Sequence, residues 1–448
     1  MLSIRNKFIK NIQVHLDNFV KMSEKLDVII FGASGFTGKY CVFEACTVLE
    51  NLKWGIAGRN QEKLEAVLKE MGTKANKDLS KIPIIIAEVN DEKSLSEMAS
   101  KAKIIVNCCG PYRFYGEQVV KACVEAGTHH VDVSGEPQYM ESMQLKYNDL
   151  AKEKGVYVVS ACGFDSIPAD LGVIFLEKNF DGVINSVETY LESYTTGGNH
   201  GGASIHYGTW ESAVYGLAHA GELRDIRSKL YKGPLPKFQP KLKARSVIHT
   251  SDVIDAVCLP FPGSDKSVIQ RSQRFLFETE KKRPIQVQAY VGFRSMVAAL
   301  IVAFVGIVFG IMTKFALGRQ LLLDYPKIFS FGFISHEGPS EAKSNATRFK
   351  ITIKGNGWPK AEKLAEPTDQ FTDPPSKNMI AKVTGSNPGY GATCVALLVA
   401  ATTILKDSDK MPGSGGVLPP GAAFAKTNMI ADLEKYDHGI KFEIVANK

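Results

Sequence analysis

The sequence predicts an α/β protein: a doubly wound parallel sheet, a second α/β domain, and a hydrophobic segment that associates with membranes. Three observations carry this expectation. Short apolar runs alternate with amphipathic stretches through the first half of the chain, a glycine-spaced turn follows the first run, and one unbroken apolar stretch lies near residue 300.

Composition suits such a fold. The 448 residues are 44% hydrophobic and 23% charged, with 39 Gly and 20 Pro, which is ordinary globular usage at a length for two or three domains. Disorder, collagen and coiled coil are excluded. Lys and Arg number 54 against 47 Asp and Glu, and the resulting +7 is too thin a basic density for a nucleic-acid partner. The eight cysteines show no CxxC pair and no zinc spacing, so they read as reduced thiols facing the cytosol, with no metal site.

Taken in order, residues 1–22 mix Leu2, Ile4, Phe8 and Ile9 with Arg5, Lys7 and Lys10, and no acid precedes Asp17. That amphipathic extension suits a membrane-surface helix, a transit peptide, or a frayed segment ahead of a second start at Met22. Residues 23–182 form the first domain, with strands expected at 27–31, 53–57, 82–87, 103–107, 129–133 and 156–160. Between them, Asn60 caps a helix whose Leu64, Val67, Leu68 and Met71 share a face, and Asn90 caps another carrying Leu95, Met98 and Ala102. Strands spaced by helices give a parallel, doubly wound sheet.

Beyond residue 182 the pattern changes. Residues 183–194, 285–291 and 346–353 read as strands, 229–245 and 359–376 as loops, and 391–405 as a helix after a turn at 385–389. Residues 183–292 and 340–448 are assigned to the second domain, with the C-terminal part packing back on the first. The intervening 293–335 is assigned as the anchor. Every residue from Met296 to Met312 is apolar or Gly, Arg294 and Lys314 bracket the run, and an aromatic-rich stretch follows at 325–333. A bilayer span and a monotopic hairpin both fit; the alternative is a buried core helix, which usually keeps a polar stripe.

The first strand runs into Gly32-Ala33-Ser34-Gly35-Phe36-Thr37-Gly38 and then a helix. Glycines at this GxxGxxG spacing let the backbone turn tightly against a pyrophosphate, while the helix amino terminus offers unpaired N–H groups. Gly32, Ser34, Gly35, Phe36, Thr37 and Gly38 are therefore candidate cofactor contacts, and the domain is Rossmann-type. The second strand ends in Ala57-Gly58-Arg59-Asn60, without the acid that receives the ribose 2′-hydroxyl of NAD. Arg59, with Asn60 beside it, can meet the extra phosphate, so NADPH is favoured while NAD stays open.

The fourth strand ends in Asn107-Cys108-Cys109-Gly110-Pro111-Tyr112, which places Cys109, Gly110 and Pro111 beside the cofactor. Tyr112 or Tyr115 is the expected proton donor, with Asp132 or Asp165 orienting it, because a hydroxyl of tunable pKa beside the hydride is what reduction needs. Asp165 and Ser166 also suit the amino-terminal cap of a helix over 167–177, with Pro168 in its first turn, and for them that role is preferred. No Tyr is followed four residues on by Lys, so the short-chain dehydrogenase dyad is missing; GxSxG and HExxH are missing too.

The motifs FGASGFTGKY (31–40), AGRN (57–60), NCCGPYRFYGE (107–117), VDVSGEPQYM (131–140), CGFDSIPADLG (162–172) and GGVLPPGAAF (415–424) together resemble the saccharopine dehydrogenase-like oxidoreductases of animals. The likeness spans nearly the whole chain after Met22. It implies an NADP(H)-dependent oxidoreductase on lipid droplets or membranes, on the cytosolic face in preference to the mitochondrion. More distant relatives of that family are bacterial trans-acting enoyl reductases of lipid and glycolipid synthesis and true saccharopine dehydrogenases. The expected reaction is thus reduction of a C=C or C=O in a lipid-like substrate. The alternatives are a saccharopine-type amino acid dehydrogenase, for which Arg224, Arg227 and Arg245 are available, and a non-catalytic dinucleotide-binding droplet-surface protein. Homo-oligomerisation stays open.

Overall fold

In the computed structural model, residues 25–198, 200–359 and 366–447 are described; the amphipathic extension 1–22 and part of the 359–376 loop lie outside them. The first six strands are β1 (Leu26–Phe31), β2 (Trp54–Gly58), β3 (Ile84–Ile86), β4 (Ala102–Asn107), β5 (His129–Asp132) and β6 (Tyr157–Val159). They pair in parallel in the order β6-β5-β4-β1-β2-β3. The order reverses between β1 and β4, the switch point where open α/β sheets bind ligands beyond the strands' carboxyl ends.

These strands are apolar on both sides because both are covered. Val28, Ile30, Ile104 and Val106 face one helical layer, which includes α1 (Phe36–Val48) and α2 (Gln61–Ala75). Ile29, Phe31 and Ile105 face the other, which includes α3 (Glu92–Ser100) and α4 (Tyr112–Ala126), with α5 (Pro137–Glu153) beyond. Asn60 caps α2 as expected, its Oδ1 accepting from the Lys63 N–H at 2.9 Å. The cap of α3 is Asp91 rather than Asn90: its carboxylate accepts from the N–H groups of Lys93 and Ser94 at 3.0 and 3.3 Å, and its charge also opposes the helix dipole. Ala102 lies in β4, not in that helix.

Next come α6 (Ile167–Asn179), β7 (Gly182–Thr195), β8 (Ile205–His206), α7 (Tyr207–Ala218), α8 (Glu222–Leu230), β9 (His249–Thr250), β10 (Val257–Pro260), α9 (Asp265–Glu280) and β11 (Gln286–Phe293). The chain continues through α10 (Met296–Met312), α11 (Ala316–Asp324), α12 (Pro326–Phe329), β12 (Ile334–Ser335), α13 (Glu341–Ala346), β13 (Thr347–Pro359) and β14 (Lys377–Ser386). It closes with α14 (Thr393–Asp407), β15 (Gly416–Leu418), α15 (Pro420–Phe424), α16 (Met429–Leu433) and β16 (Lys441–Asn447). The second sheet has the order β16-β14-β13-β7-β11-β10-β9 and is antiparallel except for β7 with β11.

The carboxyl-terminal part returns to the first sheet. Helix α14 packs on α1, β4 and β5, and β15 pairs in parallel with β6 as a seventh strand. Val395 to Ala401 are wholly buried, so this helix is hydrophobic all round because it is enclosed all round. By length and composition Pro388–Lys410 would cross a membrane, but 83% of its most apolar window is buried, and it is a core helix.

Helix α10 is the opposite case. Only Ala299 and Phe309 are buried in it, while Val297, Phe304 and Ile307 are 65%, 63% and 63% exposed, so the buried-core alternative fails. It folds back through α11 and α12 onto α7, where Trp210 packs against Phe309 with ring centres 4.5 Å apart and planes tilted by 59° and donates Nε1–H to the Leu322 carbonyl at 2.8 Å. The energetic weight of the core lies elsewhere, in α14. Leu398→Ala should cost about 2–5 kcal/mol, read as a lower thermal unfolding midpoint, because neighbours packed on every side cannot close the void.

Candidate functional site

The turn after β1 is shaped by its glycines. Gly32 has φ +79, and a Cβ there would stand 2.6 Å from Cys109 Sγ; a Cβ on Gly38 would collide with the Gly32 carbonyl oxygen. Gly35 N–H donates to that carbonyl at 2.9 Å and closes the turn. Gly35 is also the N-cap of α1, with no side chain capping the helix, so the first-turn amides are left open to an approaching phosphate. Arg59 stands exposed at the end of β2 with no ion pair among the described residues. Asn60, by contrast, spends its carboxamide oxygen on the α2 cap.

The wall across from the glycines is the β4 exit. Asn107 Oδ1 accepts from the Cys109 N–H at 3.0 Å, and its Nδ2 lies 3.3 Å from His130 Nε2, a buried imidazole that burial pushes down to about 3 and so keeps neutral. Burial pushes the Cys109 thiol up to about 12, which makes it a packing surface rather than a nucleophile. Gly110 and Pro111 follow and lead into α4. That helix has no local cap; Glu136, after β5, accepts from the N–H groups of Tyr112 and Arg113 at 3.0 and 2.9 Å and from Ser212 Oγ at 2.9 Å.

The expected proton donors separate here. The Tyr112 hydroxyl is buried beneath the strand ends, donating to the Asn107 carbonyl at 2.9 Å, and burial holds it well above the usual tyrosine range. Tyr115 is exposed beside Phe114 on the outer side of α4. Asp132 orients neither tyrosine. Its carboxylate accepts from Tyr139 (3.0 Å), from Ser160 (2.9 Å) and from the N–H groups of Ser134 (2.9 Å) and Ala161 (3.3 Å), stitching β5 to β6. Burial pushes it up to about 6.

Asp165 and Ser166 do not cap α6 through their side chains. Pro168 takes the second helical position and has no N–H to offer, so both side chains turn to the loop before α9. Asp165 Oδ2 accepts from the Ser264 N–H at 3.3 Å and Oγ at 3.0 Å, and Ser166 Oγ lies 3.0 Å from Ser264 Oγ. Gly135, after β5, comes so near that a Cβ would stand 2.9 Å from the Asp165 carboxylate, on the rim of the first sheet. The residue as a whole is half-buried, and burial of its carboxylate pushes it up to about 6. Behind it are Asp265, raised well above the carboxylate range, and Asp170, pushed up to about 7.

Two site residues escaped sequence reasoning because they are remote in the chain. The ring of Phe36, in the glycine turn, stacks on His206 at 4.6 Å and meets the edge of Tyr390 at 4.6 Å. His206 Nδ1 accepts from the Gly208 N–H at 3.0 Å, and burial lowers its pKa, so the ring is neutral with the proton on Nε2. Among the described residues no group of three His, Cys, Asp or Glu is placed to hold a metal.

Residues 28–159 match the model of the saccharopine dehydrogenase NADP binding domain. Over 428 residues, covering 94% of this chain and 97% of the relative, the sequence is 40% identical to a saccharopine dehydrogenase-like oxidoreductase of Homo sapiens. It is 38% identical to a lipid droplet localized protein of Caenorhabditis elegans, over 94% of this chain and 98% of that one. In fold it is similar to the apo saccharopine dehydrogenase (L-Glu forming) of Saccharomyces cerevisiae, with a TM-score of 0.53 over 94% of this chain and 100% of that one, at 14% identity.

The glycine turn, the open helix terminus and Arg59 fit the cofactor of that domain, and the chain binds NADP(H). In a fluorescence titration, Arg59→Ala should weaken NADPH by about 10-fold or more while moving NADH by no more than about 2-fold, the loss of one charge-assisted phosphate contact. Equal losses for both nucleotides would take Arg59 away from the 2′-phosphate.

Proposed function

The chain belongs to the saccharopine dehydrogenase-like oxidoreductases, and we propose that it reduces a C=C or C=O of a lipid-like substrate with NADPH while seated on a lipid droplet or membrane through residues 293–335. One observation carries this reading: the exposed apolar hairpin and the cofactor turn are joined. The hairpin runs directly into β12, which pairs with β8 at Ile334↔Ile205 and Ser335↔His206, and His206 stacks on Phe36 of the glycine turn. A lipid surface touching α10 therefore lies on a module in direct contact with the dinucleotide turn.

The hairpin suits a monolayer better than a span. At about 1.5 Å per residue the 17 residues of α10 reach roughly 25 Å, short of the ~30 Å hydrocarbon core, and both ends return to the protein. Exposed Phe315, Leu317, Ile328 and Phe331 widen the apolar face, and Lys314 and Lys327 can hold their charges at the headgroups.

Bound NADPH supplies the hydride. Gly32 to Gly38 would hold the pyrophosphate, Arg59 the 2′-phosphate, and Cys109, Gly110 and Pro111 the wall beside the nicotinamide. Asp165 replaces the tyrosines as proton donor, because its carboxyl lies at the strand ends and is pushed up to about 6, while the Tyr112 hydroxyl is bonded beneath the sheet and Asp132 is held by four hydrogen bonds. Ser264 orients it, and Asp132 acts only as a positioning residue through Tyr139 and Ser160. Of the arginines a saccharopine-type substrate would call on, Arg227 is engaged by Glu141, and Arg245 by Glu188 and Asp252.

Two outcomes follow. Charges at the centre of the apolar face cost about 2.5–3.5 kcal/mol each on insertion, so the double variant Val302→Lys with Ile307→Lys should leave the floating droplet fraction for the soluble one. A general acid works only while protonated, so kcat/KM for reduction should fall as pH rises through about 6, and Asp165→Asn should lose that limb and most of its rate while still binding NADPH.

A further inference from the structure

A cavity of about 640 Å³ lies on the flank of α9 turned away from the core, among α5, α8 and the segment before β9. Its size is that of a small-molecule site. Arg224 and Arg227 of α8 and Lys266, Arg271 and Arg274 of α9 line it, against one acid, Glu141, which Arg227 already pairs at 2.7 Å. The lining also holds the apolar run Pro234, Leu235, Pro236 and Phe238, beside which Arg274 donates to the Gly233 carbonyl at 2.9 Å while pairing with Glu278 at 3.0 Å.

Arg271 is the telling residue. It is 5% exposed, and among the described residues its one hydrogen bond runs from Nη2 to Gln144 Oε1 at 2.9 Å. Among the same residues its Nε and Nη1 have no partner, and neither does Nε2 of the neighbouring buried Gln273. A buried guanidinium with two unpartnered nitrogens, and no carboxylate bonded to it among the described residues, is unfavourable unless an anion completes it, and the guanidinium fork matches two oxygens of one group. On the same helix Ile269 and Leu276 pack into apolar clusters, and Ser272 bonds Asp170 at 2.7 Å. Nor is this the place of the nucleotide phosphate. Arg59 follows β2, whereas the helix carrying Glu141 and Gln144 follows β5, on the other side of the β1/β4 switch point.

We propose that this cavity binds an anionic amphiphile, a molecule with a phosphate head held by Arg271 and its neighbours and an apolar body against the Pro234–Phe238 wall. The site stands independently of the hydride-transfer reading. A phospholipid-type head and free phosphate share the chemistry that the arginines recognise, and the apolar wall selects the former.

Isothermal titration of the full chain with dodecyl phosphate below its micelle concentration, inorganic phosphate, and dodecyl maltoside tests the proposal. Dodecyl phosphate should bind more tightly than inorganic phosphate, and Arg271→Gln should weaken both by about 10-fold or more. Dodecyl maltoside, which reports on the exposed face of α10, and NADPH should bind the variant as they bind the wild type. The ligand-free Arg271→Gln chain should melt no lower than the wild type; a clear loss of stability would make Arg271 structural and overturn the assignment. Arg224→Gln, at an exposed position where the fold should not be touched, should also weaken dodecyl phosphate. Unchanged affinity in both variants, or no binding of dodecyl phosphate, contradicts the site, and inorganic phosphate binding equally tightly contradicts the amphiphile.

Discussion

The burial of one helix, Thr393–Asp407, governs the rest of the structure. A doubly wound sheet is stable only when both faces are covered, and the amino-terminal helices leave the β4–β5 region of one face open. The carboxyl-terminal helix fills it, and in doing so it brings its lead-in turn to the cofactor loop. Tyr390 meets Phe36 and stacks on Tyr40 at 5.1 Å, Cys394 Sγ donates to the Thr37 carbonyl at 3.5 Å, and Thr393 Oγ1 accepts from the Phe164 N–H at 3.1 Å. The dinucleotide turn and the β6 exit are thus braced by the same helix, from a part of the chain more than two hundred residues away.

Around that brace, the site's chemistry is set by burial. Asp132, Asp165, Asp170 and Asp265 are all pushed upward, because an apolar setting penalises the charged carboxylate. They differ in how much hydrogen bonding offsets that penalty. Asp132 accepts four hydrogen bonds and is tied to the strand ends, whereas among the described residues the hydrogen bonds to Asp165 come from Ser264 alone. The first is built into the fold; under the proposed function the second is the acid of the reaction.

Short-range patterns in the sequence carried most of the first sheet and the cofactor turn. The alternation of runs marked β1 to β6, and the glycine spacing marked the turn, because both depend on residues a few positions apart. Side-chain direction was not legible. Tyr112 sits where a catalytic tyrosine would be expected, yet its hydroxyl turns under the sheet to a carbonyl five residues earlier. Long-range partners were invisible for the same reason: Glu136 caps α4 from the next strand exit, and His206 and Tyr390 reach Phe36 across the molecule. The sequence was read as placing the α3 cap at Asn90, and the geometry of the turn puts it one position on, at Asp91.

The two most apolar helices show how far composition reaches. α10 and α14 read alike as hydrophobic runs, yet one is enclosed by two layers and the other faces outward beside a cluster of exposed aromatics. The outward one continues into the strand pair that touches the cofactor turn, the link on which the proposed function rests. The most direct measurement is transfer of deuterium from NADPH labelled at the nicotinamide C4 to long-chain enones and ketones presented in phospholipid-coated droplets, followed by mass spectrometry. Deuterium in a droplet lipid, dependent on droplet-bound protein, is the predicted result; tight NADPH binding with no label in any lipid would contradict it.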